Sequence, residues 1–336
     1  MSGPLSRRGF LKIAACSGAA GLWAAYGLRR ARQPVAVSQS RLLMGTVVNL
    51  TVMGPEREAA EQAVQACLDR MSGLEQVLSR FIPDSQLSQL NRDGRLASAD
   101  AGLLDLIAQS RQISERSGGA FDITIQPLVG LYQDCLAAGD GLPGEDAVQR
   151  ARRLVDYRRL SVSGGQVSLD LPGMAVTLDA IAKGYIVDQG VAVLRDRGFP
   201  DVLVEAGGDL LAAGQKGEGV PWRIGLQPPR RGMDGFAVRL GLRDRAAATS
   251  GDYMQPFSPD LSEYHILDPR SGHSSPELAS ATLLAPTAAL ADGLATAVMV
   301  LGVEGGLALV RQFPGCQAYL VTKGLKVYQT EDFPRL

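Results

Sequence analysis

Apolar residues at three- and four-residue spacing mark one long helix early in the chain: Ala60, Ala63, Val64, Cys67, Leu68, Met71, Leu74, Val77 and Leu78 share a face that must be buried. Beyond it, strand-like and helix-like stretches come in runs. Residues 100–116 read as a helix, with Asp100 as N-cap and Gly118 at its end, and residues 145–154 as a shorter one. Strands at 160–162 and 167–169 flank Gly164-Gly165, a hairpin signal. Residues 176–197 begin strand-like and turn helical. Strand patterns then accumulate at 202–205, 222–226, 236–242, 265–267 and 280–284, before helices at 288–301 and 304–313 and a strand at 317–321. An earlier strand is expected to run through Met44-Gly45-Thr46 over residues 42–52. Runs of this kind predict an α+β fold rather than a doubly wound parallel sheet. No break in composition divides the body, and no internal repeat is visible.

Charge is distributed unevenly. Residues 1–40 carry Arg7, Arg8, Lys12, Arg29, Arg30 and Arg32 and no acid, and without them 28 basic side chains face 35 acidic ones. An acidic body with only 5% aromatic residues excludes nucleic acid as a partner. Beyond Cys16 of the leader, Cys67, Cys135 and Cys316 are odd in number and form no CxxC pair, so neither a disulfide framework nor a zinc site is indicated; they are expected as small core residues. Only two histidines occur, so a multi-histidine metal centre is excluded and any general base is His265, His273 or a carboxylate.

Ser6-Arg7-Arg8-Gly9-Phe10-Leu11-Lys12 precedes a small-residue apolar stretch, and together these are similar to a twin-arginine export signal. Residues 1–38 are accordingly assigned to a leader and residues 39–336 to the working domain. The leader predicts handling by the twin-arginine export machinery and a periplasmic location. It admits cleavage near Ala36-Val37-Ser38, retention as a membrane anchor, or lipidation at Cys16.

Several segments hold groups suited to chemistry. Asp292 and Thr296, four apart on a helix, project from one face and suit a hard, oxygen-preferring cation, Mg²⁺ or Ca²⁺. Lys183 sits in the first turns of a helix, where free N–H groups attract phosphate. Gly207-Gly208-Asp209 follows a strand and permits close backbone approach. Gly118-Gly119-Ala120-Phe121-Asp122 ends a helix, and residues 249–253 and 265–272 are polar stretches dense in donors and acceptors. Each has an ordinary explanation alone.

In this order the segments resemble the ApbE family of FAD:protein FMN transferases, from Met44-Gly45-Thr46 through Ser79-Arg80-Phe81, Ser85, Asn91, Gly118 to Thr124, Ala180 to Tyr185, Asp188, Gly207-Gly208-Asp209, Ala248 to Tyr253 and His265 to Gly272, to Asp292 and Thr296. The resemblance implies a two-lobed α+β fold with antiparallel or mixed sheets, flanking helices and an FAD cleft between the lobes. It implies transfer of FMN from FAD to a Thr or Ser of a periplasmic or membrane redox protein, with release of AMP and Mg²⁺ as the usual metal. Met44, Phe81, Ala120, Phe121, Asp122, Thr177, Lys183 and Leu267 match flavin- and nucleotide-binding positions. The carbonyl of Ala180 and the side chains of Asp292 and Thr296 match metal positions, and His265 the position of the base, with Asp268 placed to orient it; His273 falls past the motif as a surface residue.

This chain departs from the pattern at Phe81, where many members have Tyr, at Ala295, where some add a second Asp, and at Thr177, whose expected carboxylate is lost or moved to Asp179. The leader is similar to that of the exported NosX-like branch, associated with nitrous oxide reductase maturation. Two other functions use the same constellation: an FAD-binding or storage protein without transferase activity, and an Mg²⁺-dependent FAD pyrophosphatase.

Overall fold

The structure, a computed structural model, describes residues 35–230 and 238–334. The twin-arginine motif, the apolar stretch behind it and Cys16 lie outside the described residues, as do residues 236 and 237 of one expected strand.

The first two strands, β1 (Val35–Leu43) and β2 (Thr46–Gly54), replace the single strand expected over 42–52. The chain reverses at Met44 and Gly45, both with positive φ (53° and 67°), the backbone of a two-residue hairpin turn. Methionine is an uncommon residue in that region, so the sequence gives no turn signal there. Val35 pairs with Gly54 and Ser38 with Thr51, so β1 begins inside the segment assigned to the leader.

The expected long helix is α1 (Arg57–Leu78), and its predicted apolar face is buried, except that Val77 is half-buried. Two helices without a sequence signal surround the next one: α2 (Gln86–Asp93), capped by Ser85 Oγ, and α4 (Gln126–Ala138), whose Pro127 stands in the first turn, where a missing N–H is harmless. Between them lies α3 (Ala101–Arg116), with Asp100 accepting from Gly102 N as expected, and after them α5 (Glu145–Arg152). Short strands β3 (Arg95–Leu96), β4 (Leu160–Ser163) and β5 (Gln166–Leu169) form a small antiparallel sheet in the order β3-β5-β4.

The start of 176–197 is irregular, and only α6 (Ala182–Asp196) is helical. Then come β6 (Val202–Ala206), β7 (Asp209–Ala213), the hairpin β8 (Trp222–Leu226) and β9 (Val238–Leu242), β10 (Arg245–Gly251), β11 (Leu278–Ala285), α7 (Ala288–Val310), β12 (Gln317–Thr322) and β13 (Val327–Gln329). The two helices expected over 288–313 are one element bent at Gly302, whose φ is 74°. Residues 265–267 form no strand; Leu267 makes only an isolated bridge to Ser274.

The main sheet has the order β1-β2-β6-β7-β10-β11-β12-β13, every neighbour antiparallel. Helix α6 packs against both α1 and α7, all three helices lie on the sheet, and their apolar faces and the strands form the principal core. The β8-β9 hairpin covers a second apolar cluster with Trp222, Leu240 and Tyr319. By length and composition α7 could cross a membrane, yet it packs on β10 and β11 and two thirds of its most apolar window is buried. Cys67 is buried as expected, whereas Cys135 and Cys316 are half-buried.

Candidate active site

A cleft of about 820 Å³ opens where the hairpin turn at Met44, the end of α1, the start of α6, β10 and α7 meet segments 120–133 and 254–269. That volume is in the range of cofactor-sized pockets. Met44, Phe81, Ala120, Phe121, Asp122, Thr177, Ala180, Lys183, His265, Leu267, Asp292 and Thr296 all line it. Residues spread over more than 250 positions of sequence thus converge on one cavity.

The hairpin turn reaches the cleft because two groups hold it. Met44 N donates to Glu75 Oε1 on the last turns of α1 at 2.8 Å. The β6–β7 turn presses close beneath: a Cβ on Gly207, whose φ is 60°, would stand 2.7 Å from Thr46 Oγ1, so only glycine fits.

Phe81 is 71% exposed, its ring capped by the Arg80 guanidinium 4.1 Å from the centroid. Arg80 Nε also donates to Asp179 Oδ2 at 2.8 Å. Asp179 lines the cleft two positions beyond Thr177, so a carboxylate is present on this wall. Thr177 itself is buried, its N–H donating to Ile123 O and its Oγ1 accepting from Asp179 N. Asp122 is buried and accepts three bonds, from Thr124 N, Thr124 Oγ1 and Tyr157 N. Burial nonetheless lifts its carboxyl above the ordinary aspartate value.

At the cleft floor, α6 and α7 touch. Lys183 Nζ is ion-paired with Asp209 Oδ2 and lies 3.7 Å from Asp292 Oδ2. Burial pushes this ammonium down, but the two carboxylates outweigh that and hold it above the ordinary lysine value. Asp292 accepts from Gly184 N at 3.2 Å, and burial, with the charge of Asp209 added, raises its carboxyl well above the usual range. Thr296 Oγ1 lies 3.4 Å from Ser250 Oγ on β10. Ala295 is fully buried and adds no donor.

The helices are locked by Gly184 and Asp188. A Cβ on Gly184 would fall 2.3 Å from Ala288 O. Asp188, one turn further, accepts from Ala288 N and Ala289 N at 2.7 and 2.9 Å, while Thr287 Oγ1 accepts from Leu290 N. The first N–H groups of α7 are therefore satisfied, and its second turn delivers Asp292 to the cleft.

His265 lines the same cavity from the segment 254–269. Its Nδ1 is buried and has no hydrogen-bond partner among the described residues. Burial, with Lys183 adding to it, lowers the imidazole to about 4, against the near-neutral titration of a free histidine. Asp268 does not orient it, because both its oxygens bind Arg270. His273 is not a free surface group: its ring meets Glu145, Glu263 and Tyr132 outside the cleft. Glu75, Arg80 and Asp209 also belong to the site, although the residue pattern assigns them no role. Asp209 alone carried a usable signal, an acid opening a strand directly after a glycine pair.

The family model of the ApbE family matches residues 44–320. The chain is 31% identical over 300 residues to a protein of Vibrio cholerae called FAD:protein FMN transferase, covering 86% of this chain and 89% of the relative. It is 32% identical to one of the same name from Klebsiella pneumoniae, with 86% of each chain covered. Among solved structures, the flavin transferase ApbE from Vibrio cholerae superposes with a TM-score of 0.77 at 27% identity, covering 89% of this chain and 98% of that one.

Proposed function

The chain belongs to the ApbE family, and on that premise we propose that it transfers the FMN half of FAD to a hydroxyl of an acceptor protein, releasing AMP. The observation that carries this reading is the convergence, in one cleft of about 820 Å³, of the flavin-side residues Met44, Phe81 and Phe121 with Lys183, Asp292, Thr296 and His265.

In the reaction, an acceptor Thr or Ser oxygen attacks the phosphorus of the FMN half. A new P–O bond forms, the anhydride bond breaks, AMP leaves with the electron pair, and the hydroxyl proton passes to a base. Positioning and charge neutralisation dominate such transfers. Phe81 offers exposed aromatic surface to an isoalloxazine ring, and the buried Phe121 backs the cleft wall. Lys183 offers a charge that can turn from Asp209 to a phosphate oxygen, since a third of its side chain is exposed to the cleft. His265 lines the cleft and is neutral above about pH 4, so its imidazole would serve as the base for the hydroxyl proton.

Mg²⁺ fits the oxygens at the floor. Asp292 leaves Oδ1 without a hydrogen bond among the described residues, and Lys183 already places one positive charge beside the same carboxylate. Among the described residues no three His, Cys, Asp or Glu side chains converge on a metal nest, and Asp209 is engaged by Lys183, so the donors to join Asp292 would be neutral oxygens, the Thr296 hydroxyl and the Ala180 carbonyl. These suit a hard cation. When bound, it supplies neutralisation of charge developing on the diphosphate.

The acceptor is a periplasmic or membrane-bound redox protein, a reading carried by the twin-arginine leader, as is the NosX-like branch. Incubation of the pure protein with FAD, Mg²⁺ and an acceptor domain bearing a candidate Thr tests the reaction. Flavin covalently bound to the acceptor, with one AMP per flavin, is expected. Free FMN with AMP would make the protein a pyrophosphatase, and unchanged bound FAD a storage protein.

A further inference from the structure

His273 lies outside the cleft, yet the segment it belongs to forms one wall of it. His265, Ile266, Leu267 and Pro269 line the cavity, and the stretch from Glu263 to Ser274 is held together by Ser274 N donating to Glu263 Oε2 and by Tyr264 N donating to Ser274 Oγ. This stretch rests on α4 and α5. Tyr132 of α4 donates to Gly272 O at 3.0 Å and stacks on Phe257 at 5.2 Å, and Leu128, Val129, Val148 and Leu267 complete a small apolar cluster. Val148 of α5 is so close to Gly272 that a Cβ there would lie 2.5 Å from it.

The polar side of this seam is centred on His273. Its Nδ1 lies 3.0 Å from Glu263 Oε1 and 3.2 Å from the Tyr132 hydroxyl, and its Nε2 lies 3.0 Å from Glu145 Oε2 at the start of α5. Arg152, at the other end of α5, donates to Arg270 O. The remaining charged neighbours, Asp268 and Arg270, are paired with each other.

We propose that His273 is a positioning residue: with a proton on each ring nitrogen it ties Glu263 to Glu145, latching the wall that carries His265 and Leu267 onto α5 and so setting the affinity of the cleft for its dinucleotide. This rests on the reading of the cleft as an FAD site. Two carboxylates against one imidazole favour its charged form; burial opposes them, and the net shift is upward from the ordinary histidine value. Because the folded-state value is raised, the latch is complete below about pH 6.5 and is lost as pH rises through the folded value. Acidification therefore tightens the wall.

FAD binding to the full chain, followed by quenching of flavin fluorescence at fixed Mg²⁺ from pH 6 to pH 9, tests the proposal. In the unaltered protein affinity is expected to fall about 3- to 5-fold over that range, the scale of one partly exposed ion pair. His273→Gln is expected to bind with the weaker, high-pH affinity throughout. Glu145→Gln reproduces that loss, and the double variant is no weaker than either single one, because both remove the same tie. A pH dependence unchanged in His273→Gln, or an unaffected Glu145→Gln, would overturn the latch. Absence of FAD binding by the unaltered protein would instead overturn the cofactor reading.

Discussion

Lys183 Nζ stands 3.7 Å from Asp292 Oδ2 while ion-paired with Asp209, so one ammonium compensates two buried carboxylates. Replacing Lys183 by Ala leaves both acids without their counter-charge. The expected cost is about 3 kcal/mol, the low end for removing one partner of a buried pair, because a third of the lysine side chain is exposed. Thermal unfolding checks this. Adding Asp209→Asn to Lys183→Ala should recover part of the stability but none of the transfer activity, whereas a stable, active Lys183→Ala would show that the lysine serves neither purpose.

Asp292 is the reverse case. Its carboxylate is buried at a cost that function explains and stability does not, so Asp292→Asn should leave the metal-free protein as stable or more so. Mg²⁺ should no longer raise its unfolding temperature or support transfer. Thr296→Ala is expected to weaken Mg²⁺ about 10-fold without abolishing it, since a neutral oxygen contributes less than a charged one. Mg²⁺ titrations followed by unfolding temperature separate the two outcomes, and an Asp292→Asn protein still stabilised by Mg²⁺ would place the cation elsewhere.

The grip of α6 on α7 rests on Gly184 and Asp188. Asp188→Ala strips two N–H groups at the start of α7 of their acceptor, an expected loss of about 2 kcal/mol. Asp188→Asn retains one acceptor oxygen and should lose roughly half as much. Gly184→Ala sets a methyl group against Ala288 O and must push the helices apart, so it is expected to cost about 1–3 kcal/mol and to weaken Mg²⁺ binding as well. Denaturant midpoints together with Mg²⁺ affinities test this, and Gly184→Ala with normal values for both would mean that the contact is not the lock.

How legible this arrangement is in the sequence varies with the range of the interaction. The face of α1, the Asp100 cap and the hairpin around Gly164-Gly165 follow from local periodicity and turn chemistry, and they were read correctly. Residues 249–251 looked like a polar stretch, yet they are the end of β10, paired with β11 and facing α7. Tertiary pairing overrides their weak strand propensity. The turn at Met44-Gly45 is hard to see in the sequence because its first residue is a methionine, whose N–H is held by the distant Glu75, and Gly45 alone lies within an apolar run. The cleft shows the same division. Asp292 and Thr296 share a face by spacing alone, but the pairing of Lys183 with Asp209 spans 26 positions and the latch from His273 to Glu145 spans 128. No local pattern encodes such contacts. The order of the motifs along the chain is what brought most of the lining residues together before the structure did.

His265 offers the sharpest test of the chemistry. Burial lowers its imidazole to about 4, so the group is neutral in the folded state and charged in the unfolded chain between about pH 4 and pH 6.5. In that window the unfolded state binds the extra proton, so stability rises with pH, and about 3 kcal/mol is lost on going from neutral pH to pH 4. His265→Ala should flatten that slope while retaining FAD binding, because Nδ1 has no hydrogen-bond partner among the described residues and the ring's one tie to the fold is to the backbone of Gln255. Transfer to the acceptor should fall by a factor of about 10²–10⁴, the usual worth of a positioned general base. The rate of the unaltered protein should show no acid limb near pH 6.5 from this residue, since the folded imidazole remains unprotonated well below that value. An acid limb near pH 6.5 that disappears in His265→Ala would mean that bound substrate restores the ordinary basicity, and an unchanged transfer rate in the variant would remove the histidine from the reaction.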